Sequence, residues 1–440
     1  MSSDDELLGV GDQALARLAH GEAEVVIVDD RSELTRFAGN EIHQSVAERS
    51  RYVRVRLIDG GRTGVGEVRG HGADAVERAM SAAEESRRVT TAPDSSPLPA
   101  PDHADGRPVA FAAATAAATP EERAGLVSIV TAAAAAQRLN AYGALSTTTA
   151  TSAIVSSTGL RRAATTTQAS LVSVVRGDDG GGYASRHSAD IGALDVDGLA
   201  AEVVDTCVRN QHATALDPGD YEVVLSPYAV TDLLEHLSWV GFSALATQEH
   251  RSFMRIGERL MSEQVTIRDD ATAPEVFPYP FDDEGVSTIP VSLVDKGVCA
   301  GVVYDTPTAL RDGVASTGHS LPQPNTWGPM ARHMVMERGD TPWEAMVASV
   351  SRGLYVTRFW YVRDVHPLRT MITGMTREGT FLIENGRITR PVKDLRFTQS
   401  IVEALANVVQ ISRERRLELG EGASGVLTPW LQIGRFTFTS

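Results

Sequence analysis

The order of apolar and polar positions over the first ninety residues predicts a small α/β unit. Leu7, Leu8, Leu15 and Leu18 recur at helical spacing over residues 5–20, with Asp4 placed to cap the start. EAEVVIVDD (22–30) reads as a buried strand and SELTRFAGN (32–40) as a second, with Asp29, Asp30 and Arg31 as the turn between them. RYVRVRLID (51–59) alternates basic and apolar side chains with period two, as a half-buried strand does. Gly60-Gly61 turns the chain into a short strand, GVGEVRG (64–70). ADAVERAMSAAEESRRV (73–89) then places Val76, Ala79, Met80 and Ala83 on one face of an amphipathic helix.

The stretch 92–108 is rich in proline, which excludes helix and makes it an extended connector. The Ala-rich run 109–119 fits either helix or loop. Pro120-Glu121-Glu122 opens a clearer helix running to about residue 139. Ser, Thr, Ala and Val alternate over 140–176, read as a three-stranded meander turning at Gly159, and 176–188 reads as a loop. A helix follows over 196–211.

After residue 215 a Pro-Gly turn leads into the strand DYEVVL, and Leu233, Leu234, Leu237 and Val240 form the apolar stripe of a helix within 231–250. Strand-like segments dominate from there, with helices inserted at 341–351 and 398–415. Runs of strands with segregated helices define the α+β class rather than a doubly wound parallel sheet. Two domains are expected: an N-terminal α/β domain over 1–215, including the connector, and a β-rich C-terminal domain over 216–440, barrel-like or sandwich-like.

Composition narrows the function. The 440 residues, 42% hydrophobic and 22% charged, exclude wholesale disorder. A net charge of −16, without a basic stripe, argues against nucleic acid as a partner. Cys207 and Cys299 are too few and too far apart for a disulfide framework or a zinc knuckle. The acidic start lacks the pattern of a secretory signal, and no apolar run approaches the ~20 residues that span a bilayer. A cytoplasmic protein without a membrane segment is expected.

Motifs for nucleophilic or phosphate chemistry are missing: no G-x-S-x-G elbow, no P-loop and no HExxH. Glu235-His236 is the nearest approach to a metal helix, but one imidazole needs further convergent ligands. His319 shares a loop with Asn325. Asp282, Asp283 and Glu284 are consecutive before Gly285, where neighbouring side chains diverge and a solvated turn is the simpler reading.

Taken in order, several segments resemble the TldD/PmbA family. SELTRFAGNEIHQ and VRVRLIDGGRTGVGEV resemble its N-terminal domain. LDPGDYEVVLSPYAVTDLLEHLSWVGFSA, GERLMSEQVTIRDD, FDDEGVST, ASTGHS, RGLYVT and REGTFLIENGRITRPV resemble its C-terminal domain. The resemblance implies a subunit of a dimer that encloses a cleft, in which an extended, unfolded or modified peptide is cleaved. TldD-type subunits carry zinc on an HExxxH helix with a C-terminal cysteine; PmbA-type subunits, also called TldE, lack those ligands and pair with the first type. An older family label is modulator of DNA gyrase.

In this chain the corresponding helix falls on TDLLEHLSWVGFSA. With Glu235 at the first histidine position the second is Val240; with His236 there, the second is Gly241. No cysteine follows residue 299. The resemblance therefore implies a PmbA-type chain with no metal or cofactor of its own, zinc belonging to a TldD-like partner. After RGLYVT the family is rich in small residues, whereas this chain reads RFWYVRDVHPLRTMITGMTREG. Asp282, Asp283, Glu284, His319, Asn325, Trp360, Arg363 and Arg377 are the candidate cleft residues. The alternatives are a homodimer that binds peptides or processes small molecules without peptidase activity, and an enzyme using an unrecognised site around Asp282 to Glu284 and His319.

Overall fold

The computed structural model of the chain describes residues 3–90, 97–102, 106–420 and 424–440. Two sheets organise it. The first has six antiparallel strands in the order β3-β2-β1-β4-β5-β6. They are β1 (Glu22–Ala38), β2 (Glu41–Asp59), β3 (Arg62–Arg69), β4 (Asn140–Ser156), β5 (Arg161–Arg176) and β6 (Gly181–Ser188). The helices belonging to it are α1 (Ser3–Leu15), α2 (Ala73–Val89), α3 (Ala113–Ala116), α4 (Pro120–Ala136) and α5 (Val196–Arg209).

Strands β1 and β4 each serve two cores. One end of the sheet packs Val25, Ile27, Val53, Val55 and Val155 against Leu7 and Leu8 of α1 and Val76 and Ala79 of α2. The other end packs Phe37, Leu145, Leu171 and Val175 against Val127 and Val130 of α4 and Leu199 and Val203 of α5. These strand residues share one face by the two-residue alternation. The opposite face presents Val26, Ile154 and Ala164 to Phe281 of the second half.

Close approach of α2 to β3 fixes two glycines. A Cβ on Gly64 would lie 2.1 Å from the Ala83 carbonyl oxygen, and one on Gly66 would lie 2.1 Å from that of Ala79.

The second sheet comprises β7 (Gly219–Leu225), β8 (Ile267–Asp269), β9 (Val291–Asp295), β10 (Val298–Cys299), β11 (His333–Met336), β12 (Arg352–His366), β13 (Met371–Glu384), β14 (Arg387–Val392), β15 (Arg396–Ser400), β16 (Val408–Glu418) and β17 (Gly425–Phe438). Its pairings close on themselves through β17, β15, β13, β12, β7 and back to β17, so the barrel-like alternative describes this half. The remaining helices are α6 (Pro227–Val240), α7 (Ala244–Gln248), α8 (Thr306–Asp312), α9 (Trp343–Ser349) and α10 (Ile401–Ala406). Leu233, Leu234 and Leu237 of α6 join Leu354, Val356, Leu431 and Ile433 of the strands in the largest core. The architecture is α+β.

Several local expectations are corrected. Residues 22–38 form one strand, not two around a turn at Asp29 to Arg31. Asp29 lies opposite Arg51 in the ladder, and Arg49 and Arg51 both pair with its carboxylate, so the charged residues remain within the sheet. Residues 140–176 make two long strands rather than three. The loop expected over 176–188 contains β6, whose Gly182 has no side chain because a Cβ would lie 2.2 Å from the Val203 carbonyl oxygen of α5. The helix expected over 398–415 stops at Ala406, and β16 begins two residues later because its backbone pairs with β17. The solvated turn read into 282–284 is mostly buried: Asp282 and Glu284 are each 1% exposed. Of the connector, residues 92–96 and 103–105 lie outside the described residues, and 97–102 and 106–108 carry no helix or strand. Among the described residues no helix is long and apolar enough to cross a membrane.

Candidate functional site

All the candidate residues but Asn325 fall in two places. Asp282, Asp283, Glu284 and His319 lie at the seam between the halves, while Trp360, Arg363 and Arg377 lie on the outer portions of β12 and β13.

At the seam, Asp282 tightens its own turn. One carboxylate oxygen accepts the Glu284 and Val286 N–H groups, and the other accepts the Ser320 N–H at 2.8 Å. Burial, then the neighbouring Glu284 carboxylate, pushes Asp282 well above the usual carboxylate range. Glu284 accepts the Thr306 N–H at 3.1 Å and faces Arg56 of β2 at 3.8 Å; burial pushes its carboxyl up to about 7 despite that guanidinium. Asp283 points instead toward Arg332, 3.3 Å away. Both line a polar cavity of about 250 Å³ together with Thr148, Gln168, Tyr279 and His333.

His319 belongs to a buried chain of polar contacts. Its Nε2 lies 2.9 Å from Asp269 Oδ1, its Nδ1 lies 2.9 Å from Thr317, and the other Asp269 oxygen accepts the His333 N–H at 2.8 Å. Burial acts to raise Asp269, but the His319 imidazole and these hydrogen bonds outweigh it and hold the carboxyl below its usual range. The His333 imidazole is pushed down to about 4 by burial. Asn325 shapes its own loop, its Oδ1 accepting the Trp327 and Gly328 N–H groups.

The second group is more open. Trp360 is 43% exposed, with the Arg377 guanidinium 4.7 Å and the Arg358 guanidinium 5.0 Å from its ring centroid. Arg363 stacks on Tyr361, which is 68% exposed. Glu378, buried beneath, accepts hydrogen bonds from Arg176, Arg358 and Arg377.

Helix α6 lies beside this group. His236 Nδ1 is 3.0 Å from Asp364 Oδ1 of β12, Val240 is buried in the largest core, and Gly241 ends the helix. Glu235 is buried against Gly420. Zinc takes three or four nitrogen, sulfur or oxygen donors. Two of the four positions offer none, and among the described residues no group of three His, Cys, Asp or Glu is placed to hold a metal. Cys299 is buried in β10 within the apolar core. The side chains present on this helix do not fit a zinc ion.

Residues that the motifs did not single out complete the surroundings of α6. Tyr183, Tyr228, Asp232, Arg358 and Glu418 form a recess with Glu235. Burial, followed by the Glu235 carboxylate, pushes Asp232 up to about 7. The i, i+3 spacing of Asp232 and Glu235 beside the apolar stripe of α6 was a usable signal. Glu418, at the end of a charged run, gave none.

Comparison with known proteins fits this architecture. Residues 218–440 match the PmbA/TldA metallopeptidase C-terminal domain, and residues 23–86 match PmbA/TldA metallopeptidase domain 1. A TldD homologue named as a metalloprotease in Haemophilus influenzae is 29% identical over 232 residues, covering 52% of this chain and 48% of that protein. The metalloprotease PmbA of Escherichia coli O157:H7 is 23% identical over 275 residues, covering 60% of this chain and 58% of its own. The matching stretches thus span about half the length of these curated relatives. In fold, the crystal structure of TldE from Thermococcus kodakarensis superposes with a TM-score of 0.88 at 20% identity, covering 100% of both chains. With the C-terminal profile alone matching residues 218–440, the chain belongs to the PmbA/TldD metallopeptidase family.

Proposed function

We propose that this chain is the non-metallated, PmbA/TldE-like subunit of a TldD/TldE-type peptidase complex, supplying part of the cleft that holds unfolded or modified peptides. The observation that carries the reading is the state of α6: His236 is turned to Asp364, and Val240 is packed in the core where a second ligand would be needed. Zinc and hydrolysis would then belong to a TldD-like partner carrying HExxxH. Extended peptides add to sheet edges through main-chain hydrogen bonds, which demand little of sequence. The exposed Trp360 and Tyr361 offer rings against which such a peptide packs. A cytoplasmic setting without nucleic acid is part of the same reading, supported by the charge of −16.

The test is metal analysis of the purified chain followed by a peptidase assay with and without an HExxxH-bearing paralogue. The expected result is no stoichiometric zinc, no hydrolysis by the chain alone, and hydrolysis on mixing. One tightly bound zinc per chain, or hydrolysis by the chain alone, overturns it.

A further inference from the structure

We propose that the recess between α6, β6, β12 and the end of β16 binds a primary ammonium group of a peptide, either a lysine side chain or a free N-terminus. The proposal rests on the reading of the chain as a peptide-binding subunit and specifies what part of the peptide is held.

The recess has a volume of about 130 Å³, enough for the tip of one side chain rather than a folded segment. Asp232, Glu235 and Glu418 line it, against one guanidinium among the described lining residues, that of Arg358. Arg358 is already committed, its Nε donating to Glu378 at 2.6 Å. Acidic side chains therefore outnumber basic ones among the described lining residues, and an anionic ligand is disfavoured.

Glu418 supplies an independent pointer. The residue is 4% exposed, and its Oε2 accepts from Ser185 Oγ and lies 3.4 Å from His187 Nε2. Its Oε1 is buried and receives no hydrogen bond among the described residues. Leaving a buried carboxylate oxygen without a donor costs on the order of 1–3 kcal/mol, so a donor brought by a ligand is favoured. An ammonium brings three donors on a compact charge.

The aromatic walls already hold cations. Tyr183 and Tyr228 meet edge to face at 5.1 Å, Arg358 lies 4.1 Å from the Tyr183 ring centroid, and Arg416 lies 4.9 Å from that of Tyr228. Ring faces in this recess thus already attract positive groups.

Fluorescence anisotropy tests this with an unstructured Ser/Thr/Ala peptide bearing one central lysine and a C-terminal fluorescein. Four forms are compared: free, acetylated at the N-terminus, acetylated at the lysine, and acetylated at both. The doubly acetylated peptide is expected to bind the wild-type chain at least about tenfold more weakly than the free form. Whichever single acetylation reproduces that loss identifies the source of the ammonium. Glu418→Gln and Asp232→Asn are expected to weaken the free peptide about tenfold and leave the doubly acetylated one unchanged. Equal binding of free and doubly acetylated peptide to the wild-type chain overturns the proposal, whatever the variants do. If no form binds either the chain or its complex with an HExxxH-bearing paralogue, the peptide-subunit reading falls with it.

Discussion

Arg56 and Glu284 meet at the seam between the two sheets, with Nη2 3.8 Å from Oε1 and both residues 1% exposed. The same guanidinium nitrogen also lies 3.0 Å from Glu24 Oε2 of the neighbouring strand. One buried cation therefore serves carboxylates from both halves of the chain.

Removing that cation is expected to leave two buried carboxylates uncompensated. Arg56→Met should destabilise the protein by about 3–5 kcal/mol, because a buried charge without its partner is far costlier than the intact pair is favourable. Adding Glu24→Gln and Glu284→Gln should recover much of the loss. Chemical denaturation followed by tryptophan fluorescence measures both, and a midpoint unmoved by Arg56→Met would show that the seam is not held this way.

The same seam should respond to pH. Burial raises the Glu284 carboxyl to about 7 in the folded chain, above its unfolded value of roughly 4.3. Between these values the folded state holds a proton that the unfolded state has released, so Glu284 favours folding most at low pH and loses that contribution as pH rises through about 7. Asp282 beside it is shifted in the same direction. Other groups oppose this: His333, pushed down to about 4, destabilises the fold as pH falls below about 6.5. The contribution of Glu284 is therefore read as a difference. The stability of wild type minus that of Glu284→Gln should fall between pH 5 and pH 8; a flat difference contradicts the assignment.

A backbone contact gives a third expectation. Gly66 of β3 leaves no room for a Cβ, which would sit 2.1 Å from the Ala79 carbonyl oxygen of α2. Gly66→Ala should push α2 off the sheet and cost about 1–3 kcal/mol, as overpacking does. Gly39, with nothing within 4 Å of its would-be Cβ but a φ of +61°, separates space from backbone strain. Gly39→Ala should cost about 1 kcal/mol through strain alone. Thermal melts of the two variants test the pair.

Much of the fold was legible because period and punctuation coincided. The α2 boundaries at Ala73 and Val89 follow from an apolar stripe ended by a basic turn, and the Gly60-Gly61 turn from its glycines. The errors arose where tertiary pairing overrode local signals. Asp29 to Arg31 look like a turn until Arg49 and Arg51 on the next strand are seen to pair with Asp29. Gly182 looks like a loop residue until α5 is seen packed on it. The segment after Ala406 had helical spacing, and only β17 made it a strand. At the site, motif order located α6 and both groups of candidates. It gave no access to Glu418 or Tyr183, which reach the recess from strands distant in sequence.

The two groups of candidates should separate cleanly when mutated. His319 is 4% exposed and its imidazole is held by Asp269, itself fully buried. His319→Ala removes the donor from a buried carboxylate and is expected to cost about 3 kcal/mol, whatever it does to peptide binding. Trp360 is 43% exposed and meets Arg358 and Arg377 only through its ring. Trp360→Ala should change stability by less than about 1 kcal/mol, since exposed cation–π contacts contribute little. On the proposed function it should nevertheless weaken peptide binding several-fold, about 1 kcal/mol or a little more. Denaturation midpoints and peptide anisotropy measured on the same two variants give the comparison. If Trp360→Ala binds peptide as wild type does, the outer portions of β12 and β13 are not part of the cleft.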